Sequence, residues 1–188
     1  ELGDLGVRRH VQDAVGEDVV SLGERASVPA HEDHEARAER TGEARDVEVV
    51  DPEGHQIWSS FAVNEVSIEK LARERMIEVL VRVDGRALSR WGTDGVLMST
   101  PTGSTAYAFS ANGPVMWPDI DALLLVPLSA HALFSRPLVI GPHSTISIEV
   151  LPSNECNAVV WCDGRRAADL PIGTRIEVKK AKIGRAHV

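Results

Sequence analysis

Gly95-Val96-Leu97-Met98-Ser99-Thr100-Pro101-Thr102-Gly103-Ser104-Thr105-Ala106-Tyr107 is the stretch on which the fold turns. A short apolar strand runs into a turn built of hydroxyl side chains, one Gly and one Pro, and then into helix-compatible residues up to Ala111. A strand that ends in such a turn and opens a helix offers free backbone N–H groups, small side chains and a dipole end to an anion. A phosphate or ribose phosphate is the expected guest. The turn is not a phosphate-binding loop of the Gly-Lys-Ser/Thr kind, because no Lys precedes its hydroxyls. On the residues alone, a plain helix N-cap by Ser104 or Thr105 is the simpler account of the turn.

Working outward, the chain from Asp46 onward reads as β. Asp46 to Val50, Ile57 to Val63, Met76 to Val83 and Arg86 to Trp91 are strands, and Leu123 to Val126, Thr145 to Val150, Ala158 to Cys162 and Arg175 to Val178 continue the series. Ile77, Val79, Val81 and Val83 fall on one face of their strand, and Ile146, Ile148 and Val150 on one face of theirs, which is the period-2 signature of a half-buried strand. Pro52-Glu53-Gly54 marks a turn. Asp84-Gly85 and Asp163-Gly164 mark hairpins. With Gly95 to Met98 this makes roughly nine short strands and one short helix after Gly103, which suggests a mainly β, two-layer sandwich-like domain.

Bulk properties bound the function. The chain has 188 residues, 43 % of them hydrophobic, and a formal net charge of −8. That balance argues against a nucleic-acid partner. No apolar run approaches membrane-spanning length. Cys156 and Cys162 fit no metal or redox spacing and read as free thiols. Together these features predict a cytoplasmic protein without a membrane or nucleic-acid partner.

Several short constellations bear on chemistry. Asn64-Glu65 ends a strand-like run, and an adjacent amide and carboxylate suit a ribose diol; a solvated pair at a turn is the plainer reading. Asp94 stands ready to accept from a base or amide, or is a hairpin Asp. Asp163-Gly164-Arg165-Arg166 places cations near phosphates, or is a surface turn. His31-Glu32-Asp33-His34-Glu35 has an i, i+3 His spacing in a weakly patterned region, which does not suit a zinc site. His131 and His143 read as core-edge histidines.

Together these residues resemble the C-terminal domain of the NAD kinase family, of the actinobacterial type. The run from Asp94 to Ser110 is similar to the family's most specific signature, and Asn64-Glu65 stands about thirty residues upstream of it, as in the family. Gly113-Pro114-Val115, Trp117-Pro118, His131-Ala132-Leu133-Phe134, Arg136-Pro137 and Cys162-Asp163-Gly164-Arg165 extend the likeness over residues 46 to 180. Lipid kinases of the diacylglycerol-kinase type share the two-domain plan but lack the close Ser-Thr-Pro-Thr-Gly-Ser-Thr-Ala-Tyr run.

The resemblance implies transfer of the γ-phosphate of ATP, or of polyphosphate, to the 2′-hydroxyl of the adenosine ribose of NAD, giving NADP. It implies that Asn64 and Glu65 hold ribose and base, and that Asp94, Thr102, Thr105, Ala106, Tyr107 and Ser110 line the rest of the dinucleotide site. Mg²⁺ or another divalent cation on the phosphate oxygens would neutralise developing charge. It also implies a homo-oligomer, dimer or tetramer, with an exposed apolar face. The family's N-terminal α/β half carries a Gly-Gly-Asp-Gly loop whose Asp is the expected base, and no such tetrapeptide occurs in this chain. No catalytic residue is therefore assigned, no side chain is assigned to a metal, and the chain alone is expected to be inactive. The alternative is a non-catalytic module that binds NAD(P) or serves assembly.

The ends read differently. Residues 1–45 are rich in Glu, Arg, Ala, Gly and His without an apolar stripe, and resemble frameshifted text from a GC-rich gene. Residues 181–188 read as a non-native tail, like a translated sequencing adapter. The first residue is not Met, and the chain is expected to be a fragment.

Overall fold

β-Branched residues at alternate positions commit this chain to strands, and apolar side chains on both faces of a few strands dictate that a second layer covers them. The computed structural model describes residues 44–181, save 118, 133 and 134. Within them twelve strands form two antiparallel six-stranded sheets. The first holds β1 (Arg45–Val50), β2 (Gln56–Ala62), β4 (Ile77–Val83), β5 (Arg86–Thr93), β9 (Ile146–Val150) and β12 (Arg175–Lys180), in the order β2-β1-β12-β9-β4-β5. The second holds β3 (Glu65–Lys70), β6 (Gly95–Ser99), β7 (Leu123–Leu128), β8 (Leu138–Ile140), β10 (Ala158–Cys162) and β11 (Arg166–Leu170), in the order β11-β10-β3-β6-β7-β8. The expected mainly β, two-layer architecture is what the chain adopts.

The sheets share one apolar core. Val47, Val49, Ile77, Val79, Val81, Ile146, Ile148 and Val178 from the first sheet pack with Val66, Ile68, Val96, Met98, Leu123, Leu125 and Val160 from the second. Each such fully buried aliphatic side chain contributes roughly 1.5–3 kcal/mol of transfer free energy. β6 and β7 are buried on both faces. Val96 and Met98 point into the sandwich, while Leu97 joins Ala108, Met116, Ala122, Leu124 and Val126 in a second cluster on the outer face. That outer cluster seats the segment following the Thr-Gly turn over the second sheet.

Both Asp-Gly hairpins form where expected. Asp84 and Gly85 have φ of 51° and 77°, and Asp163 and Gly164 have φ of 51° and 61°, the left-handed pair that matches the twist of a hairpin.

Three strands escaped the sequence reading. β3 carries Glu65, Glu69 and Lys70 among its six residues, β8 has only three residues, and β11 reads Arg-Ala-Ala-Asp-Leu. β11 lacks strand composition, β8 is too short to show a period, and the charged residues of β3 mask the inward pair Val66 and Ile68. Each is held by partners: β3 lies between β10 and β6, β11 returns from the Asp163 turn, and β8 borders β7.

The helix is shorter than expected. A 3-10 turn spans Thr102–Thr105 and one α-helical turn follows, α1 (Tyr107–Ser110). Neither is capped by a side chain, so the N-cap reading of Ser104 and Thr105 is corrected. Ser104 instead donates to the Pro101 carbonyl (2.6 Å) and accepts from the Met116 amide (2.9 Å). His131 and His143 are exposed rather than set at the core edge. The His31–Glu35 stretch and most of both atypical ends lie outside the described residues.

Candidate functional site

Three connections converge at one end of the second sheet: the β2–β3 corner at Val63-Asn64, the turn after β6, and the β10–β11 turn. Antiparallel pairing puts them there, with Glu65 opposite Ser99 on β6 and Cys162 opposite Val66 on β3.

The Asn64 carbonyl is the hub of the first contact. It accepts from the Thr100 amide (2.9 Å), the Thr100 hydroxyl (3.3 Å) and the Ser99 hydroxyl (3.3 Å). Thr100 also donates to the Val63 carbonyl (2.7 Å) and accepts from the Gly103 amide (3.1 Å). A Cβ on Gly103 would lie 2.0 Å from the Asn64 oxygen. Glycine is therefore the residue that lets turn and corner touch.

Asp163 makes the second contact. Its side chain is 1 % exposed. One carboxylate oxygen accepts from the amides of Val63 (3.1 Å), Asn64 (2.7 Å) and Glu65 (3.2 Å). The other accepts from Val63 (3.1 Å) and from Arg166 (2.9 Å). This turn is neither a cation pair awaiting phosphates nor a plain surface turn, because its aspartate is folded inward. The Asp-Gly signal located the turn, but only the β10–β3 register could show which way the carboxylate points.

Glu65 emerges from this corner as the first residue of β3. The solvated-pair reading does not hold: Oε2 is buried and has no hydrogen-bond partner. Burial, with the charge of Asp163 beside it, pushes the Glu65 carboxyl up to about 7. Period-2 geometry puts Glu65, Ser67 and Glu69 on the outer face of β3, and Ser67 donates to Glu69 (2.7 Å). Tyr107 lies close enough to feel both glutamates; burial first, then Glu69 and Glu65, raises its phenol.

Beyond Tyr107 opens a groove of about 1130 Å³ whose lining includes Glu69, Lys70, Asp94, Tyr107, Ser110 and Pro127. Asp94 is not a hairpin residue, since β5 and β6 belong to different sheets. It sits where the chain crosses between them and pairs with Lys70 at 2.5 Å.

The fold thus gathers the expected residues into two adjoining groups. Asn64, Glu65 and the turn bearing Thr102 form one, and Asp94, Tyr107 and Ser110 line the groove, with Tyr107 next to both. Thr105 and Ala106 are exposed between them. The expected amide cradle is corrected: the amides of Gly103, Ser104 and Ala106 bond to Thr100, Pro101 and Gly103 within the turn itself. Glu69 and Lys70 were missed, and so were the contacts that Thr100 and Asp163 make, because these arise from register and not from local pattern.

Among the described residues no three His, Cys, Asp or Glu side chains gather as a metal site. Asp163, the carboxylate beside Glu65, is already taken up by three amides and Arg166. The described residues form no cage for a divalent ion. No helix among the described residues is long and apolar enough to cross a membrane.

The chain is similar to known proteins over this same region. The family model for the ATP-NAD kinase C-terminal domain matches residues 63–186. The NAD kinase of Cutibacterium acnes is 58 % identical over 130 residues, covering 69 % of this chain and 41 % of that protein. That of Leifsonia xyli subsp. xyli is 58 % identical over 127 residues, covering 68 % of this chain and 42 % of that protein. The chain thus spans about two-fifths of the length of the curated relatives it matches. Among solved structures, yeast NADH kinase complexed with NADH superposes with a TM-score of 0.69 at 28 % identity, over 75 % of this chain and 40 % of that one. An NAD kinase from Archaeoglobus fulgidus in complex with ATP superposes with a TM-score of 0.60 at 28 % identity, over 78 % of this chain and 55 % of that one. The likeness carried by Asn64-Glu65 and the Asp94–Ser110 run is therefore one of descent, and the chain belongs to the NAD kinase family.

Proposed function

We propose that this chain forms the dinucleotide-binding wall of an NAD kinase, which phosphorylates the adenosine-ribose 2′-hydroxyl of NAD to give NADP. The observation that carries the reading is the buried, unpartnered Oε2 of Glu65. Leaving a buried acceptor unsatisfied costs about 1–3 kcal/mol, more when it is charged. A ribose hydroxyl or a base amine arriving at the corner removes that cost. The same energy becomes binding energy for a ligand of that chemistry.

Asn64 and Glu65 hold ribose and base in this reading. Tyr107 offers a ring face and a phenol beside them. Thr102, Thr105 and Ala106 flank the corner, and Asp94 and Ser110 line the groove in which the rest of the dinucleotide lies. ATP or polyphosphate is the phosphate donor, accompanied by a divalent cation on its own oxygens. Phosphoryl transfer is chiefly positioning and charge stabilisation. The described residues supply positioning for the acceptor. With no Gly-Gly-Asp-Gly loop in the sequence, the chain by itself binds dinucleotide without phosphorylating it. The working enzyme is a cytoplasmic homo-oligomer. Phe109, Val115, Trp117 and Ile120 are exposed on and after α1, consistent with an apolar face of the kind expected.

The test is a calorimetric titration of NAD into the purified chain, with an NADP-formation assay beside it. NAD binding that falls at least tenfold in E65A, with no NADP formed, is the expected result. NAD affinity indifferent to E65A sinks the site assignment. Robust NADP formation by the chain alone sinks the claim that it is only a binding wall.

A further inference from the structure

We propose that Asp163 is a positioning residue of this site: its buried carboxylate grips the amides of Val63, Asn64 and Glu65 and so fixes how the Asn64 and Glu65 side chains meet the dinucleotide. The inference rests on the dinucleotide reading above.

Two aspartates in this chain provide an internal comparison. Asp84 and Asp163 both follow the last residue of a strand, both precede Gly, and both have φ of 51°. A hairpin needs nothing more of either. Asp84 is exposed; among the described residues its carboxylate accepts one amide, that of Thr145 (2.9 Å), and its own amide donates to the Thr145 carbonyl (2.9 Å). Asp163 is folded under the sheet end instead. It takes three successive amides of a segment about a hundred residues away in sequence and returns its own amide to the Glu65 carbonyl (2.9 Å). Arg166 braces the carboxylate from the open side (2.9 Å) and lies over the Phe61 ring at 4.1 Å. Hydrogen bonds from amides to a carboxylate are shorter and stronger than neutral ones. Successive amides aimed at one anion also set successive peptide planes. The peptide planes fixed here are those that carry Asn64 and Glu65.

The same carboxylate acts on Glu65 through charge. The titratable groups around Glu65 are Asp163, with its partner Arg166, and Tyr107 on α1; its neighbour on β6 is the uncharged Ser99. Burial and Asp163 both favour the neutral acid. Near neutrality Glu65 therefore has a proton to donate as well as an oxygen to accept with, which suits a partner that carries both hydroxyls and ring nitrogens.

The experiment compares D163N with D84N in the protein as its gene encodes it. Asn suits a left-handed turn at least as well as Asp, so the two variants are matched for hairpin formation. NAD affinity is read by calorimetry between pH 6 and pH 8.5. The Glu65 carboxyl is followed by the ¹³C shift of its side chain, which needs no ligand. D163N is expected to weaken NAD binding about tenfold or more and to move the Glu65 midpoint down, while D84N does neither. A Glu65 midpoint unmoved in D163N overturns the proposal whether or not NAD binds. So does a D163N protein that keeps full NAD affinity while E65A loses it. If the midpoint moves but E65A and D163N both leave NAD binding intact, the dinucleotide reading is what fails, and the positioning role falls with it.

Discussion

Replacing Gly103 by alanine tests whether the turn and the Asn64 corner form one unit. The new Cβ would lie 2.0 Å from the Asn64 oxygen, 2.5 Å from its carbonyl carbon and 2.7 Å from the Ser99 hydroxyl. The first distance is roughly 1 Å or more inside ordinary contact. Two of the three obstacles are backbone atoms, which cannot rotate aside like the end of a long side chain. Overpacking of this kind costs about 1–3 kcal/mol. The chain can relieve it only by swinging the Asn64 carbonyl away. That abandons its bond from the Thr100 amide, worth about 1 kcal/mol, while the Thr100 and Ser99 hydroxyls keep their shorter bonds to the Val63 and Thr100 carbonyls. Either route leads to a loss of about 1–3 kcal/mol.

The relieved structure also has Asn64 and Glu65 turned out of place. A binding loss of similar size corresponds to roughly fivefold to a hundredfold in NAD affinity. Urea unfolding and NAD titration of G103A measure the two effects. G92A is the control, since a Cβ there meets only the Met76 methyl at 4.0 Å and is expected to change stability by less than about 0.5 kcal/mol. G103A with unfolding midpoint and NAD affinity both at wild-type levels would refute the geometric argument.

Further predictions concern protons, hydroxyls and thiols. Because the folded Glu65 midpoint of about 7 lies above the ordinary glutamate value of 4.5, the folded state holds the extra proton between those values, and the contribution of Glu65 to stability falls as pH rises through about 7. E65Q should therefore melt higher than wild type at pH 8 and nearly equal to it at pH 4.5; a difference independent of pH would contradict this. Ser104→Ala removes the acceptor of the buried Met116 amide and should cost about 1–3 kcal/mol in urea unfolding, whereas Thr105→Ala at an exposed site should cost under about 0.5 kcal/mol. Equal losses in the two would reject the assignment of Ser104. Cys162 is buried and its thiol is pushed up to about 11, chiefly by burial. A disulfide reagent should therefore react with Cys156 alone in the native protein, and C156S should show no reactive thiol until unfolded.

Much of the fold was legible because its signals are local. Ile77, Val79 and Val81 announce a strand by their spacing, and Asp84-Gly85 and Asp163-Gly164 announce hairpins by the backbone angles they tolerate. β11 was not legible, because Ala167, Ala168 and Asp169 have no strand preference of their own; they extend because the Asp163 turn lays them against β10. The site divides in the same way. Asn64-Glu65 and the run from Asp94 to Ser110 were readable as a family pattern. The amide cradle inferred from the Thr-Gly turn was not realised, because a 3-10 turn satisfies its own donors and leaves little of a helix end to attract an anion.

By itself, the sequence determined the class of structure, most strand positions, both tight hairpins and the family, since each depends on residues within a few places of one another. The tertiary structure alone decided that Glu65 carries a buried oxygen without a partner, that Lys70 holds Asp94, and that Asp163 reaches a corner about a hundred residues away. Those features follow from register between distant strands, and register is settled by how the two sheets bury their apolar faces together rather than by any short stretch of chain.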